Sequence, residues 1–172
     1  LESGEEVFVL GTPGGRVATR AIVVAAGIGP FAPRRPGIGG EEGWLGRGLE
    51  YHVGKRDDLR GKRVLLVGGG DSAFDWAVGL QGVAAAVTIA HRRDTFKAHA
   101  ATIKQVMDLA TDRKVALRTF CEVTVIHGGE RIEAVTLRDS RTKTEERLAV
   151  DVVVALLGFV SRLGAVAGWG IE

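Results

Sequence analysis

Six consecutive residues, Gly68-Gly69-Gly70-Asp71-Ser72-Ala73, and four further on, His91, Arg92, Arg93 and Lys97, have the types and spacing from which chemistry can be built. Gly68-x-Gly70-x-x-Ala73 is the spacing of a dinucleotide-binding turn. Its first glycine permits a tight bend, its second lets backbone approach a pyrophosphate, and the small Ala73 lets a helix pack close on a strand. Asp71 or Ser72 is expected to cap that helix, whose free N–H groups and positive dipole end then face the phosphates. The Ser72 hydroxyl is a donor suited to pyrophosphate. Asp71 carries the wrong charge for that contact and reads as a cap.

A unit that takes NAD places an acid at the tip of the next strand, for the ribose 2′-OH. Here that tip holds Arg92 and Arg93, with Lys97 four residues beyond Arg93. A carboxylate repels a 2′-phosphate, and these cations clamp one. Each charge-assisted bond contributes about 1.5–3 kcal/mol, enough for a roughly tenfold to hundredfold preference for NADP(H). The plain alternative is a solvated basic patch at a strand end. His91 fits two roles equally well, stacking near an adenine or closing the strand as a polar residue.

These residues need a strand, a turn, a helix and a second strand to position them. Arg63 to Val67 is apolar after its first residue, too short for a helix and rich enough in Val and Leu for a buried parallel strand. The helix follows from Asp71, Gly82 is its expected stop, and Val87 to Ala90 is the second strand. Ala98 to Ala110 has helical spacing with Ile103, Val106, Met107 and Ala110 on one side, and Val115 to Leu117 reads as a third parallel strand. The period then changes to two. Glu122 to His127 and Arg131 to Arg138 alternate around Gly128-Gly129, a hairpin signal, and Arg147 to Leu157 supplies one or two further strands ending at Gly158.

Upstream, Glu6 to Leu10, the turn at Gly11 to Gly15, and Arg16 to Ala26 read as a hairpin running into a strong strand. Gly27-Ile28-Gly29-Pro30-Phe31-Ala32 repeats the glycine spacing formally, but Pro30, Pro33 and Pro36 remove the donors a phosphate-binding helix needs. Residues 27 to 48 have the Gly/Pro composition of a connection, and Tyr51 to Arg60 that of a short helix or loop.

The 172 residues suit one domain and part of another. A net charge of +2 gives no case for a nucleic-acid surface. The single cysteine, Cys121, excludes an internal disulfide or dithiol pair and reads as a small buried hydrophobe. His52, His99 and His127 have no metal-ligand spacing with it. No apolar run approaches a membrane span, and with no signal peptide in view cytoplasm is the default expectation. The opening Leu-Glu-Ser suggests an excised piece.

GGGDSA at 68–73 and HRRDTFKA at 91–98 resemble the two NADP motifs of the thioredoxin-reductase-like flavoproteins, with Lys97 where an Arg is usual. Thioredoxin reductases proper carry a Cys-x-x-Cys before the NADP strand. The corresponding stretch here, residues 49 to 62, has no cysteine. The chain is more similar to the ferredoxin–NADP reductases of that superfamily, which lack the dithiol: AAGIGPFAPRRPG, SAFDWA and LLGFVSRLGAVAGWG all resemble their segments. The resemblance implies an α/β fold, a Rossmann-like three-layer ββα unit with a parallel sheet and a small antiparallel meander, plus part of an FAD domain. It implies residues 1–48 as partial FAD domain and crossover, 49–158 as the NADP-binding domain, and 159–172 as the crossover back. Phe31 would lie near the flavin, and Gly158 would join the cofactor-binding residues where the chain returns.

The segments that hold the ADP half of FAD in such enzymes are missing, so the chain alone is expected to keep no stable FAD and no catalysis. In the intact protein the resemblance implies hydride transfer between NADPH and FAD, exchange of electrons with a ferredoxin-type carrier, and a homodimer. No catalytic acid, base or nucleophile is implied, because the flavin does the chemistry. A stand-alone NADP-binding or sensing module, and a structural domain with an empty site, are the other readings. The gathering of Arg92, Arg93 and Lys97 opposite a glycine turn speaks against the last, and the orphaned strand at 16–26 against the former.

Overall fold

A computed structural model describes residues 2–3, 7–25, 32–160 and 168–169. The chain divides into two compact units, Leu1–Ala32 with Phe159–Glu172, and Pro33–Gly158.

In the first unit, β1 (Glu2–Ser3), β2 (Phe8–Thr12) and β3 (Gly15–Thr19) form an antiparallel sheet in that order. The β2–β3 turn is closed by Thr12, whose Oγ1 donates to the Gly15 carbonyl at 2.9 Å and accepts the Gly14 N–H at 3.2 Å. The strand expected over Arg16 to Ala26 stops at Thr19, and residues 20–25 have no regular structure. Val23 is 90% exposed. Its neighbours have strand-forming side chains, but a strand also needs a hydrogen-bonded neighbour, and none pairs with this run among the described residues. The second glycine pattern lies mostly outside the described residues. A two-stranded pair is formed by β4 (Ala32–Pro33) with β13 (Phe159–Val160).

The second unit is built on five parallel strands: β5 (Leu49–Glu50), β6 (Arg63–Val67), β7 (Ala86–His91), β8 (Ala116–Thr119) and β12 (Val152–Ala155), in the order β5-β12-β6-β7-β8. One face carries α1 (Asp71–Gly79) and α2 (Ala100–Thr111). There Val64, Leu66, Val87, Ile89, Val152 and Val154 bury against Phe74, Ala77, Leu80 and Val106. The other face is covered by an antiparallel meander of β9 (Cys121–Gly128), β10 (Ile132–Asp139) and β11 (Glu145–Ala149). Leu65, Val67, Ala90, Val153 and Ala155 pack there against Val123, Ile126, Val135 and Leu137. Cover on both faces is why the central strands read as unbroken apolar runs rather than alternating ones. This is the three-layer α/β arrangement expected.

Three details differ from expectation. The strand β5 was not anticipated: it is two residues long, held by register with Val153 and Val154 rather than by any local pattern. Its approach is fixed by the buried Glu41, whose Oε2 accepts the Ile38 N–H at 3.0 Å and whose Oε1 accepts the Tyr51 hydroxyl at 3.3 Å. In α2, Met107 is 40% exposed, and Ile103, Val106 and Leu109 face the core. Neither Asp71 nor Ser72 caps α1. Gly70 is the N-cap and no side-chain cap bond is made.

Candidate functional site

The parallel strands β6 and β7 run in register, Val67 beside Ala90, so the glycine turn and the His91 segment emerge at the same carboxyl end of the sheet. Each glycine in the turn is used differently. Gly68 has φ +154°, and a Cβ there would stand 2.5 Å from the carbonyl oxygen of Leu156, just beyond β12. A Cβ on Gly69 would stand 2.5 Å from Nδ1 of His91. Gly70 is extended, at φ −103° and ψ −179°, and a Cβ there would meet nothing within 4 Å. Conformation does not require glycine at 70, and neither does internal packing. The open space over its backbone, at the uncapped start of α1, is where a phosphate has room to approach the helix amides. Ala73 is fully buried beneath the turn.

The segment after β7 closes around this turn. Gly68 N–H donates to the Ala90 carbonyl at 3.0 Å, and Lys97 N–H donates to the Gly69 carbonyl at 2.7 Å. Because a carbonyl only accepts, the 3.1 Å contact between His91 Nε2 and the Thr95 oxygen requires the proton on Nε2. The His91 ring lies 5.5 Å from that of Phe96, which lies 4.9 Å from Phe74 of α1. Burial lowers the His91 pKa below its usual value against the Thr95 bond, and the Arg92 and Arg93 charges add to the lowering. Arg92, Arg93 and Lys97 are exposed. Among the described residues none of the three has an ion-pair partner. Three exposed cations without ion-pair partners among the described residues, on a segment whose backbone bonds to the glycine turn, suit a polyanion.

The sequence-marked residues Gly68, Gly69, Gly70, Asp71, Ser72, Ala73, His91, Arg92, Arg93 and Lys97 thus share the carboxyl end of the central strands. Ser72 is exposed at the start of α1, and its hydroxyl bonds to no described residue. Gly158 lies three residues past β12, at φ +81°, and its carbonyl accepts the Arg34 N–H at 2.9 Å. Phe31 lies outside the described residues. Sequence reasoning missed Phe96 and His99. Phe96 carries the His91 ring, and the backbone amide of His99 is bound by Asp71. An aromatic between Arg93 and Lys97 was a visible signal for the first; a backbone donor leaves none for the second.

Grooves lie elsewhere among the described residues. One is lined by Arg118, Cys121, Asp139 and Glu146 beside β8, another by Gly48, Asp58, Lys62 and Asp151 at the start of β6 and β12. Cys121 is partly buried, and burial raises its pKa ahead of the nearby Asp139 charge, which makes it a poor nucleophile. Among the described residues no group of His, Cys, Asp and Glu is arranged to hold a metal, and no helix is long and apolar enough to cross a membrane.

A parallel sheet with a glycine turn and a cationic strand tip at its carboxyl end, helices on one face and an antiparallel meander on the other, defines a thioredoxin-reductase-like α/β protein. The chain belongs to the pyridine nucleotide-disulphide oxidoreductase family, whose profile matches residues 2–170. It is 46% identical over 167 residues to a ferredoxin–NADP reductase of Frankia alni, covering 97% of this chain and 50% of that one. With a ferredoxin–NADP reductase of Thermus thermophilus it shares 40% over 172 residues, 99% of this chain and 51% of the other. Among solved structures, thioredoxin reductase from Lactococcus lactis superposes with a TM-score of 0.74 at 26% identity, over 92% of this chain and 51% of that one. The chain spans about half the length of the curated relatives it matches.

Proposed function

We propose that this chain is the NADP(H)-binding portion of a flavin-dependent oxidoreductase of the ferredoxin–NADP reductase type. The observation that carries the reading is the hydrogen bond from Lys97 N–H to the Gly69 carbonyl, which brings the Arg92–Lys97 segment against the glycine turn. The names of the relatives from Frankia and Thermus support the choice of ferredoxin as the electron partner of the intact protein.

In that reading bound NADPH supplies a hydride and FAD of the intact protein accepts it. This chain binds and orients. The α1 N-terminus and the Gly70 backbone receive the pyrophosphate, with the Ser72 hydroxyl as an added donor. Arg92, Arg93 and Lys97 receive the 2′-phosphate. His91, its pKa lowered first by burial, donates from Nε2 to the Thr95 carbonyl and so holds the bend between the two anion sites. In that reading residues 49–158 are the NADP(H)-binding domain, 1–48 are partial FAD domain and crossover, 159–172 are the crossover back, and the 172 residues alone hold no stable FAD.

Calorimetric titration of the purified protein with NADPH and NADH tests this. Wild type should prefer NADPH, and replacing Arg92 and Arg93 by Ala should cost roughly tenfold to hundredfold in NADPH affinity while leaving NADH little changed. Equal losses for both nucleotides would remove the 2′-phosphate assignment. A yellow preparation with stoichiometric flavin would overturn the expectation for FAD.

A further inference from the structure

Asp71 is the first residue of α1 and is exposed. Its carboxylate sits beside the uncapped helix start, where the charge opposes a phosphate. It is used elsewhere: Oδ1 accepts the backbone N–H of His99 at 2.7 Å. His99 is the N-cap of α2, with φ −62° and ψ 138°, and its Nδ1 accepts the Ala101 N–H at 3.3 Å. One carboxylate therefore ties the end of the glycine turn to the end of the segment that bears Arg92, Arg93 and Lys97. The other end of that segment is held by β7, and its middle by the Lys97–Gly69 bond.

A ligand with two anionic groups a fixed distance apart gains most from receptor groups already held at that spacing, because less freedom is lost on binding. Resting on the NADP(H) reading above, we propose that Asp71 is a positioning residue for cofactor specificity. By holding the His99 amide it keeps the Arg92–Lys97 segment in register with the glycine turn, and so sets discrimination between NADPH and NADH while touching neither.

The test measures dissociation constants of the purified protein for NADPH and NADH by calorimetry, and amide hydrogen exchange over residues 92–99. Asp71→Ala should weaken NADPH by roughly threefold to thirtyfold and NADH by less than about twofold, with faster exchange confined to that segment. Asp71→Asn keeps an acceptor and removes the opposing charge, so it should bind NADPH at least as tightly as wild type and exchange as slowly. His99→Pro suits the φ already present and deletes the donor, so it should reproduce Asp71→Ala, while His99→Ala, which keeps the N–H, should not. An unchanged NADPH/NADH ratio in Asp71→Ala overturns the proposal. So does equal damage by Asp71→Asn, or equal loss of both nucleotides with a lowered melting temperature, which would leave Asp71 a purely structural role. A wild-type protein with no preference for NADPH, or an Arg92→Ala/Arg93→Ala variant that keeps one, would instead sink the underlying site assignment.

Discussion

The imidazole of His91 fills the space that a side chain at Gly69 would need, with Nδ1 2.5 Å from the position of a Cβ there. The ring is held in that place by the Thr95 carbonyl and by a tilted contact with Phe96, and Phe96 in turn makes a tilted contact with Phe74. The residue that closes β7 is thereby packed into the turn that closes β6.

Alanine at each of the three glycines should therefore fail in a different way. Gly68→Ala meets the fixed Leu156 carbonyl at an unfavourable φ and should lose about 1–3 kcal/mol of stability or more. Gly69→Ala must displace a side chain, so its loss should be smaller and accompanied by altered His91 resonances. Gly70→Ala enters open space and should change stability by less than about 0.5 kcal/mol, yet weaken NADPH by roughly tenfold or more, because it blocks the approach to the helix. Urea midpoints paired with calorimetry separate the three. A Gly70→Ala protein that binds normally would show that nothing needs that space.

The pH dependence of stability should carry a signature of His91. Its folded pKa is lowered, first by burial and then by Arg92 and Arg93, so near pH 6 the unfolded chain binds the proton more readily. Its contribution is then present above the unfolded value of about 6.5 and is lost as pH falls through the folded one. His91→Gln should flatten the fall in urea midpoint between about pH 7 and pH 5. An unaltered slope would mean that the ring titrates as if in water.

What was legible in the sequence is the part written in local pattern. Val64–Val67 followed by three glycines, and the alternating runs on either side of Gly128-Gly129, each state their own structure, and both the helix and the meander layers follow from them. Three things depend on partners instead. Leu49–Glu50 becomes a strand only because Val153 and Val154 lie alongside it. Val23, with a higher strand propensity but no ladder among the described residues, does not. The phase of α2 follows what the sheet offers, so Leu109 turns inward where Met107 has equal claim by hydrophobicity. The site's residues were visible through spacing, but the Asp71–His99 tie joins a side chain to a backbone group, and any residue but proline supplies that donor.

At the opposite end of the sheet, Asp151 joins β12 to β6. Its Oδ2 accepts the Arg63 N–H at 2.7 Å and Nε at 3.1 Å, and Oδ1 accepts a terminal guanidinium nitrogen at 2.6 Å. The bond to the Arg63 side chain is the main cause of the lowered Asp151 pKa. That contribution to stability is complete above the unfolded value of about 3.9 and disappears as pH falls through the lower folded value. Both side chains are partly exposed, so the effect is modest. Asp151→Ala should lose about 1 kcal/mol at neutral pH and less near pH 3. A deficit in urea midpoint that stays constant over that range would assign the loss to packing instead of charge.

Lys97 separates backbone from side chain at a single position. Its N–H holds the segment to Gly69 whatever the side chain is, while its exposed ammonium has no ion pair among the described residues and is the group proposed above to meet a 2′-phosphate. Lys97→Ala should therefore melt with wild type but bind NADPH roughly threefold to tenfold more weakly, with NADH unaffected and the salt dependence of NADPH binding reduced. Lys97→Arg offers a planar fork in place of a point charge and should bind at least as well. Lys97→Pro removes the N–H and should damage the turn itself, losing both nucleotides. If Lys97→Ala left NADPH affinity and its salt dependence unchanged, the ammonium would belong to the solvated face of the protein, and the phosphate would rest on Arg92 and Arg93 alone.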